Sequence, residues 1–526
     1  MSDQTSTKRP RRAGGRAARV AMRQAVKPAK AVWPGLEGGA YKPLSDHDMA
    51  RIHEAVLDIL ETTGIGSPTQ ELLDIALPKG CTLGEQGRLC FPRGLMEDII
   101  DGAAKSYTIH ARGNRSPHGD IHMDGRQVHF CTAGSAVSTL DAKSRTYRPS
   151  TLADVYDFTR LTDQLDNIHL VGETVVATDI ADAFEHDASI FYALISGTEK
   201  PMSMSFQQRG FIRPMIDMFD MVLGGEGRFV KKPFAVFGGC PIVSPLRFGE
   251  DNLDILIETS LLGLTSHIAV APQAGATAPA PLAGILVQVT AETLASLAVV
   301  NLVNPGCAMT HAAWPFVADL RTGSFSGGGG EEAVIAAAAA QIGKFYGLPT
   351  STAAGMSDSK IPDAQAGYEK GVTAVLAALA GCNRVCESAG MLGSLMGCSF
   401  ESLVIDNDML GMVQRALRGI EVTDETLSVE AIKEVATGAG HYLGHPQTLS
   451  LMETEYLYPA LGDRQPQDTW EEEGSKDMLT RASERVESIL ADHYPNYIDP
   501  AIDVAIRERF PIQLTQQAMQ PGNGRW

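Results

Sequence analysis

Pro233-Phe-Ala-Val-Phe-Gly-Gly239 is short, apolar at its start and glycine at its end. Such a run suits a strand buried on both faces that stops in a tight loop. Runs of the same kind begin near Val128 (VHFCTA), Ile168 (IHLVGE), Met202 (MSMSF), His267 (HIAVAPQ), Gly306 (GCAMTHA), Pro349 (PTSTAAG) and Asn383 (NRVCES). Successive starts lie 31 to 43 residues apart, and each interval holds a helical pattern. Between Thr151 and Leu165, for example, Leu152, Val155, Phe158 and Leu161 share one face, and Thr151 with Asp154 forms a capping-box pattern. Eight strand–helix units predict an α/β fold, a (β/α)8 TIM barrel. An open doubly wound sheet is the alternative. The absence of Gly-x-Gly-x-x-Gly after the first strand argues against its dinucleotide-binding form.

Outward from this core, the domain plan reads 1–40 basic tail, 41–110 N-terminal helical cap, 111–420 barrel and 421–526 C-terminal helical subdomain. In the cap, Ile52, Val56, Ile59 and Leu60 fall on one helical face, which Thr63-Gly64 ends. Gly327–Gly330 is followed by Glu331 and Glu332 rather than Lys-Ser/Thr, so it is not a phosphate loop. It reads as a flexible lead-in to the Ala-rich helix Glu331–Phe345.

The net charge of −19 conceals a split. Residues 1–30 carry +8 and the other 496 carry −27. A body this acidic argues against nucleic-acid binding over its surface, leaving only the tail to touch nucleic acid, anionic lipid or an acidic partner. No eighteen-residue stretch is uninterruptedly apolar, so no membrane span is expected. Eight scattered cysteines fit reduced thiols and a cytoplasmic location.

In a barrel of this kind the working residues stand at the C-terminal strand ends. Those ends offer Glu173, the Gly238-Gly239-Cys240 turn, Gln273, His311, Asp358 and Glu387. The spacing matches no metal triad, and Cys382-x-x-x-Cys386 with Cys398 is a weak zinc pattern, so no metal is expected. Asp120-Ile-His122-Met-Asp-Gly125 spells the D-x-H-x-x-G with which corrinoid-carrying domains offer histidine to cobalt. Its follow-on pattern fails at Asn167, and the segment reads as a hairpin turning at Asp124-Gly125. No tightly bound corrinoid is expected.

The most specific stretch is Asp358-Ser-Lys360-Ile-Pro-Asp363-Ala-Gln-Ala-Gly-Tyr368-Glu369-Lys370. With Arg321-Thr-Gly, Ser388-Ala-Gly-Met-Leu392, Leu403-Val-Ile-Asp406-Asn-Asp408, Leu417-Arg-Gly-Ile-Glu421-Val and His441…His445, it resembles the trimethylamine methyltransferase family over about residues 40–500. The resemblance implies a (β/α)8 enzyme that moves a methyl group from a methylated amine to the Co(I) corrinoid (cobalamin) of a separate protein. Archaeal members carry pyrrolysine. The matching stretch here is Cys382 to Gly390, with Cys386 at the aligned position, and every residue in it is standard. Members without pyrrolysine are associated with quaternary amines, which implies glycine betaine first, with proline betaine, carnitine, choline or trimethylamine as alternatives.

A quaternary ammonium leaves as a neutral tertiary amine and needs no covalent activation. The expected catalytic residues are Glu387 and Asp358; Glu173, Gln273, His311, Arg321 and Lys360 are expected to bind substrate, the last three facing a carboxylate. Blander roles stand beside these. Arg321 suits pairing with a nearby acid, Lys360 a solvated loop and His311 a core position, while Gln273 suits local backbone bonds and His441 and His445 helix contacts. An apolar helical surface around the barrel suits a homo-oligomer.

Overall fold

The computed structural model describes residues 30–113 and 119–526. Eight parallel strands form its centre: β1 (Gln127–Thr132), β2 (Val171–Gly172), β3 (Met202–Ser205), β4 (Ala235–Gly239), β5 (Ser266–Val270), β6 (Met309–Ala313), β7 (Thr350–Ala353) and β8 (Arg384–Ala389). Neighbours in sequence are neighbours in the sheet from β2 through β8, and β8 then pairs with β1. The register runs Met202↔Ala235, Phe237↔Ser266, Ser266↔Met309, His311↔Thr350, Ser351↔Arg384 and Arg384↔His129. A parallel bridge, Cys131↔Leu170, links β1 to the residues leading into β2. Each predicted run overlaps one of these strands.

After each strand comes a helix: α1 (Leu152–Asp163), α2 (Ala183–Gly197), α3 (Ile212–Leu223), α4 (Glu250–Leu261), α5 (Leu282–Val303), α6 (Gly330–Phe345), α7 (Ala364–Leu379) and α8 (Phe400–Arg418). The Thr151–Asp154 capping box forms as read from the sequence. Small residues set how closely helices approach the sheet. A Cβ on Gly343 of α6 would meet Thr350 Cγ2 of β7 at 2.3 Å. Between α3 and β4, Phe219 meets Phe229 and Phe234 at ring separations of 4.9 and 5.2 Å. Truncating such a residue to alanine costs about 3–5 kcal/mol.

α5 is long and apolar enough to cross a membrane, but 83% of its most apolar window is buried inside the chain. Its Glu292 accepts from Ser244 Oγ (2.7 Å) and Leu246 N (2.8 Å). The cap helix Asp46–Asp58, boxed by Ser45 and Asp48, puts Ile52, Val56 and Leu57 into one apolar cluster with Val289, Leu297 and Val300 of α5.

Three boundaries differ from the sequence reading. Within the expected 1–40 tail, Leu36–Glu37 pairs antiparallel with Gln127–Val128, because Leu36 finds a buried place against the sheet; residues 1–29, with most of the basic charge, lie outside the described residues. The turn at Asp124-Gly125 is present, with Gly125 at φ +48°, yet Ile121–Met123 pairs with Tyr107–Ile109 instead of hairpinning onto β1. Finally, residues 421–458 belong to one compact unit, with helices Val429–Thr437 and Pro446–Leu451, whereas 459–526 belong with 33–420. The helix Met478–Asp492 is tied to α1 by Arg160 Nη1 donating to Leu490 O at 2.9 Å.

Candidate active site

Glu387 occupies the most unusual backbone position at the C-terminal strand ends. The β8–β1 register breaks between Val385 and Ala389, and within this irregularity Glu387 takes φ +62°. A side chain other than glycine held in the left-handed region inside a strand stores strain, which the surroundings must compensate. The compensation is visible. Gly134 N donates to Glu387 Oε2 at 2.8 Å, and Gly134 has no room for a side chain, since its Cβ would lie 2.7 Å from Glu387 Oε1. The next amide, Ser135 N, donates to the carbonyl of Glu173 at 2.6 Å. The loop after β1 therefore sits between the Glu387 and Glu173 segments. Burial, aided by Cys386, pushes the Glu387 carboxyl up to about 8. Burial, with Asp187 nearby, raises Glu173 equally, to about 8. Among the described residues, neither forms an ion pair.

Asp358 follows β7 and is fully engaged. It accepts from Ser326 Oγ (2.5 Å), Gly327 N (2.9 Å) and Ser394 Oγ (2.8 Å), clamping three loops. Its own amide donates to Glu369 Oε2 at 2.9 Å. The glycine run is packed rather than flexible: a Cβ on Gly327 would meet Met356 Cε at 2.3 Å, and one on Gly328 would meet Glu369 Oε2 at 2.5 Å.

The other sequence candidates scatter. His311 lies in mid-β6 and faces outward, with the Gly343 Cβ direction of α6 3.0 Å from its Nδ1, and burial drives it down to about 4. It is a core histidine, away from the strand ends, so the expectation of substrate contact there is corrected. Arg321 is also corrected: its side chain is 88% exposed on the hairpin Phe316–Asp319/Ser324–Ser326, bonded to Asp319 at 2.6 Å. Lys360 is exposed, its Nζ donating to Asp358 O at 2.6 Å. Gln273 starts a short strand beside Phe316, and its carbonyl accepts from Ala276, Thr277 and Ala278 amides.

What the sequence reading missed lies inside the sheet. Ser351 Oγ of β7 is reached by His267 Nε2 (3.0 Å), Trp314 Nε1 (3.3 Å) and Cys386 Sγ (3.3 Å). Trp314 is half-buried and lies 5.8 Å from the His267 ring. The signal was alternation: with His311 outward, Thr310, Ala312 and Trp314 share the inner face. Tyr107 Oη meets Thr310 Oγ1 at 2.6 Å on that face, which supports the assignment. Glu332, on the first turn of α6, was seen only as a negative charge after the glycines. It is fully buried, and neither carboxyl oxygen has a hydrogen-bond partner among the described residues.

Residues 12–516 match the family model described as trimethylamine methyltransferase (MTTB). The chain belongs to the trimethylamine methyltransferase family. It is 31% identical over 475 residues to a trimethylamine methyltransferase of Desulfitobacterium hafniense, covering 90% of this chain and 94% of that one. A glycine betaine methyltransferase of another strain of that species is also 31% identical, over 470 residues, covering 89% and 96%. A trimethylamine methyltransferase of Methanosarcina thermophila matches at 31% over 478 residues, 90% and 98% of the two chains. Among solved structures, the Methanosarcina barkeri monomethylamine methyltransferase aligns over 88% of this chain and 96% of its own, at 14% identity and a TM-score of 0.42. This chain is thus a methyltransferase of the methylated-amine class. Two members at the same identity carry different substrates in their names, so overall similarity does not choose between donors.

Proposed function

We propose that this methyltransferase is a (β/α)8 barrel that takes a methyl group from a quaternary amine, glycine betaine first, and passes it to the corrinoid of a separate protein. The observation that carries the reading is Cys386. At the position where the resemblance puts pyrrolysine stands a thiol that burial pushes up to about 12, hydrogen-bonded to Ser351. A neutral, buried thiol offers an amine no electrophile, so the donor must already possess a good leaving group. A quaternary ammonium does: when its methyl C–N bond breaks, the electron pair stays on nitrogen and no proton is required.

The bound corrinoid, in its Co(I) state, supplies the nucleophile. The chain's own work is binding, orientation and exclusion of water. Glu387 and Glu173 attract the cation, and uptake of positive charge draws their protons off. Trp314 offers an aromatic face of the kind that holds trimethylammonium groups, worth about 0.5–2 kcal/mol. Asp358 keeps the rim loops in place around them. Lys360, at the rim, is the remaining cation of the expected set for a donor's carboxylate, and Gln273 is retained as a second polar contact. Proline betaine, carnitine, choline and trimethylamine stand as alternative donors. The exposed apolar pair Tyr368 and Val372, one turn apart on α7, suits assembly with further copies of the chain.

The test is direct. The chain is incubated with each quaternary amine and reduced corrinoid, either free cobalamin or the partner protein. Demethylated amine is then measured by mass. Dimethylglycine from glycine betaine supports the reading. No demethylated product from any donor sinks it.

A further inference from the structure

We infer that Glu332 is an anchor for the cationic head of the methyl donor, standing beside Asp358 at the rim of the sheet. The inference deepens the methylated-amine reading above and rests on it.

The position follows from helix geometry. Gly343 of α6 lies against Thr350 of β7. Glu332 is eleven residues earlier, which at about 100° per residue returns to the same helix face. It also stands about 16 Å further along the axis, at about 1.5 Å per residue. From Thr350 to its end at Ala353, β7 covers only about 10 Å, at about 3.3 Å per residue. Glu332 is therefore beyond the end of β7, level with the segment that carries Asp358. Burial, and after it the charge of Asp358, holds the Glu332 carboxyl well above the usual carboxylate range.

Other charged groups around α6 have partners or point away. Glu369 on α7 accepts from Ser357 Oγ (2.6 Å), Asp358 N (2.9 Å) and Gln365 Nε2 (2.8 Å). Lys370 is paired with Asp406 at 2.7 Å. On α6 itself Glu331 is exposed, and Lys344, at the far end, is bonded to Asn383. Glu292 of α5 holds Ser244 and Leu246, and Arg321 holds Asp319. Among the described residues, no cation serves Glu332.

A buried carboxyl with two unbonded oxygens is costly unless a ligand completes it. At the third position of a helix, a glutamate commonly folds back onto the first amides; this one does not. The missing donors describe the ligand. The ligand must bring positive charge to these oxygens, which the quaternary ammonium of the proposed donor does through its polarised methyl C–H groups. Phe325 and Met356, in contact range of the Gly327 position, supply apolar surface beside the same loop. Cation uptake would displace the proton from Glu332.

The experiment is calorimetric binding of glycine betaine, repeated in buffers of different ionisation enthalpy so that released protons are counted. Glu332→Gln is expected to weaken binding by about tenfold or more and to reduce the proton count by up to one. Binding of the isostere 3,3-dimethylbutanoate, in which carbon replaces the quaternary nitrogen and the head is uncharged, should stay unchanged. Equal affinity and an equal proton count in E332Q overturn the inference while leaving the methylated-amine reading intact. If the wild type binds no quaternary amine, that reading fails and takes this inference with it. Should E332Q not fold, Glu332→Asp serves: weaker betaine binding beside unchanged isostere binding supports the anchor, and unchanged betaine binding overturns it.

Discussion

The two ends of the parallel strands are built on opposite principles. At the N-terminal end the buried Asn383 side chain is fully engaged. Asn383 donates to the carbonyls of Asp124 (3.1 Å), Gly125 (3.3 Å) and Gln127 (2.9 Å) and accepts from Thr350 N (3.0 Å). The small sheet Tyr107–Ile109/Ile121–Met123 packs there, with His122 Nδ1 3.1 Å from Thr108 Oγ1. At the C-terminal end, Glu387 is strained, and Glu387, Glu173 and Glu332 are carboxyls raised by burial that form no ion pair among the described residues. One end spends its hydrogen bonds on stability. The other keeps charge unsatisfied, which is where a cationic ligand gains most.

That contrast can be broken by substitution. Glu387→Gln should lower kcat/KM by about a hundredfold or more, since it removes the buried charge but keeps the Gly134 bond; steady-state assay with glycine betaine measures it. A normal rate would strip the C-terminal end of its functional assignment. Asn383→Ala should instead cost about 3 kcal/mol of stability, leaving several buried backbone groups unpaired, while KM of the folded enzyme stays near wild type. Denaturant unfolding and kinetics on the same sample separate the two.

A pH series sharpens the comparison. Glu387 and Glu173 sit near 8 in the folded chain against an ordinary 4.5. Between those values the folded state holds more protons than the unfolded one. Their stabilising contribution is therefore full below about 4.5 and is lost as pH rises to about 8. Thermal midpoints should fall over this window without ligand, and E387Q should flatten the slope. The smallest effect is expected at Arg321→Ala, within about 0.5 kcal/mol and with unchanged turnover, because that residue is solvated and bonds only its neighbour.

Most of the framework was legible because it is local. Each strand announces itself by a short apolar run, and Thr151 with Asp154 shows a helix start without reference to anything distant. The site was legible in part. Counting to strand ends was enough to place Glu387, Glu173 and Asp358 at or near the ends of their strands. His311 was misplaced because its strand runs two residues further, to Ala313, and alternation then turns His311 outward and Trp314 inward. Arg321 looked chemical in its motif, yet its partner Asp319 is only two residues away. Glu332 was visible but unreadable: burial of a helix-start glutamate depends on what packs over it.

The sequence by itself determined the eight strand–helix units, the acidic body, the standard residue at position 386 and the family. All of these rest on residue identity and spacing along the chain. Only the tertiary structure decided that Glu387 is strained against Gly134, that Asp358 is a clamp, that Trp314, His267 and Cys386 meet at Ser351, and that Glu332 is buried without a partner. Those properties belong to groups 31 to 253 residues apart, and charge and strain at such a site are set by what the fold places beside each group.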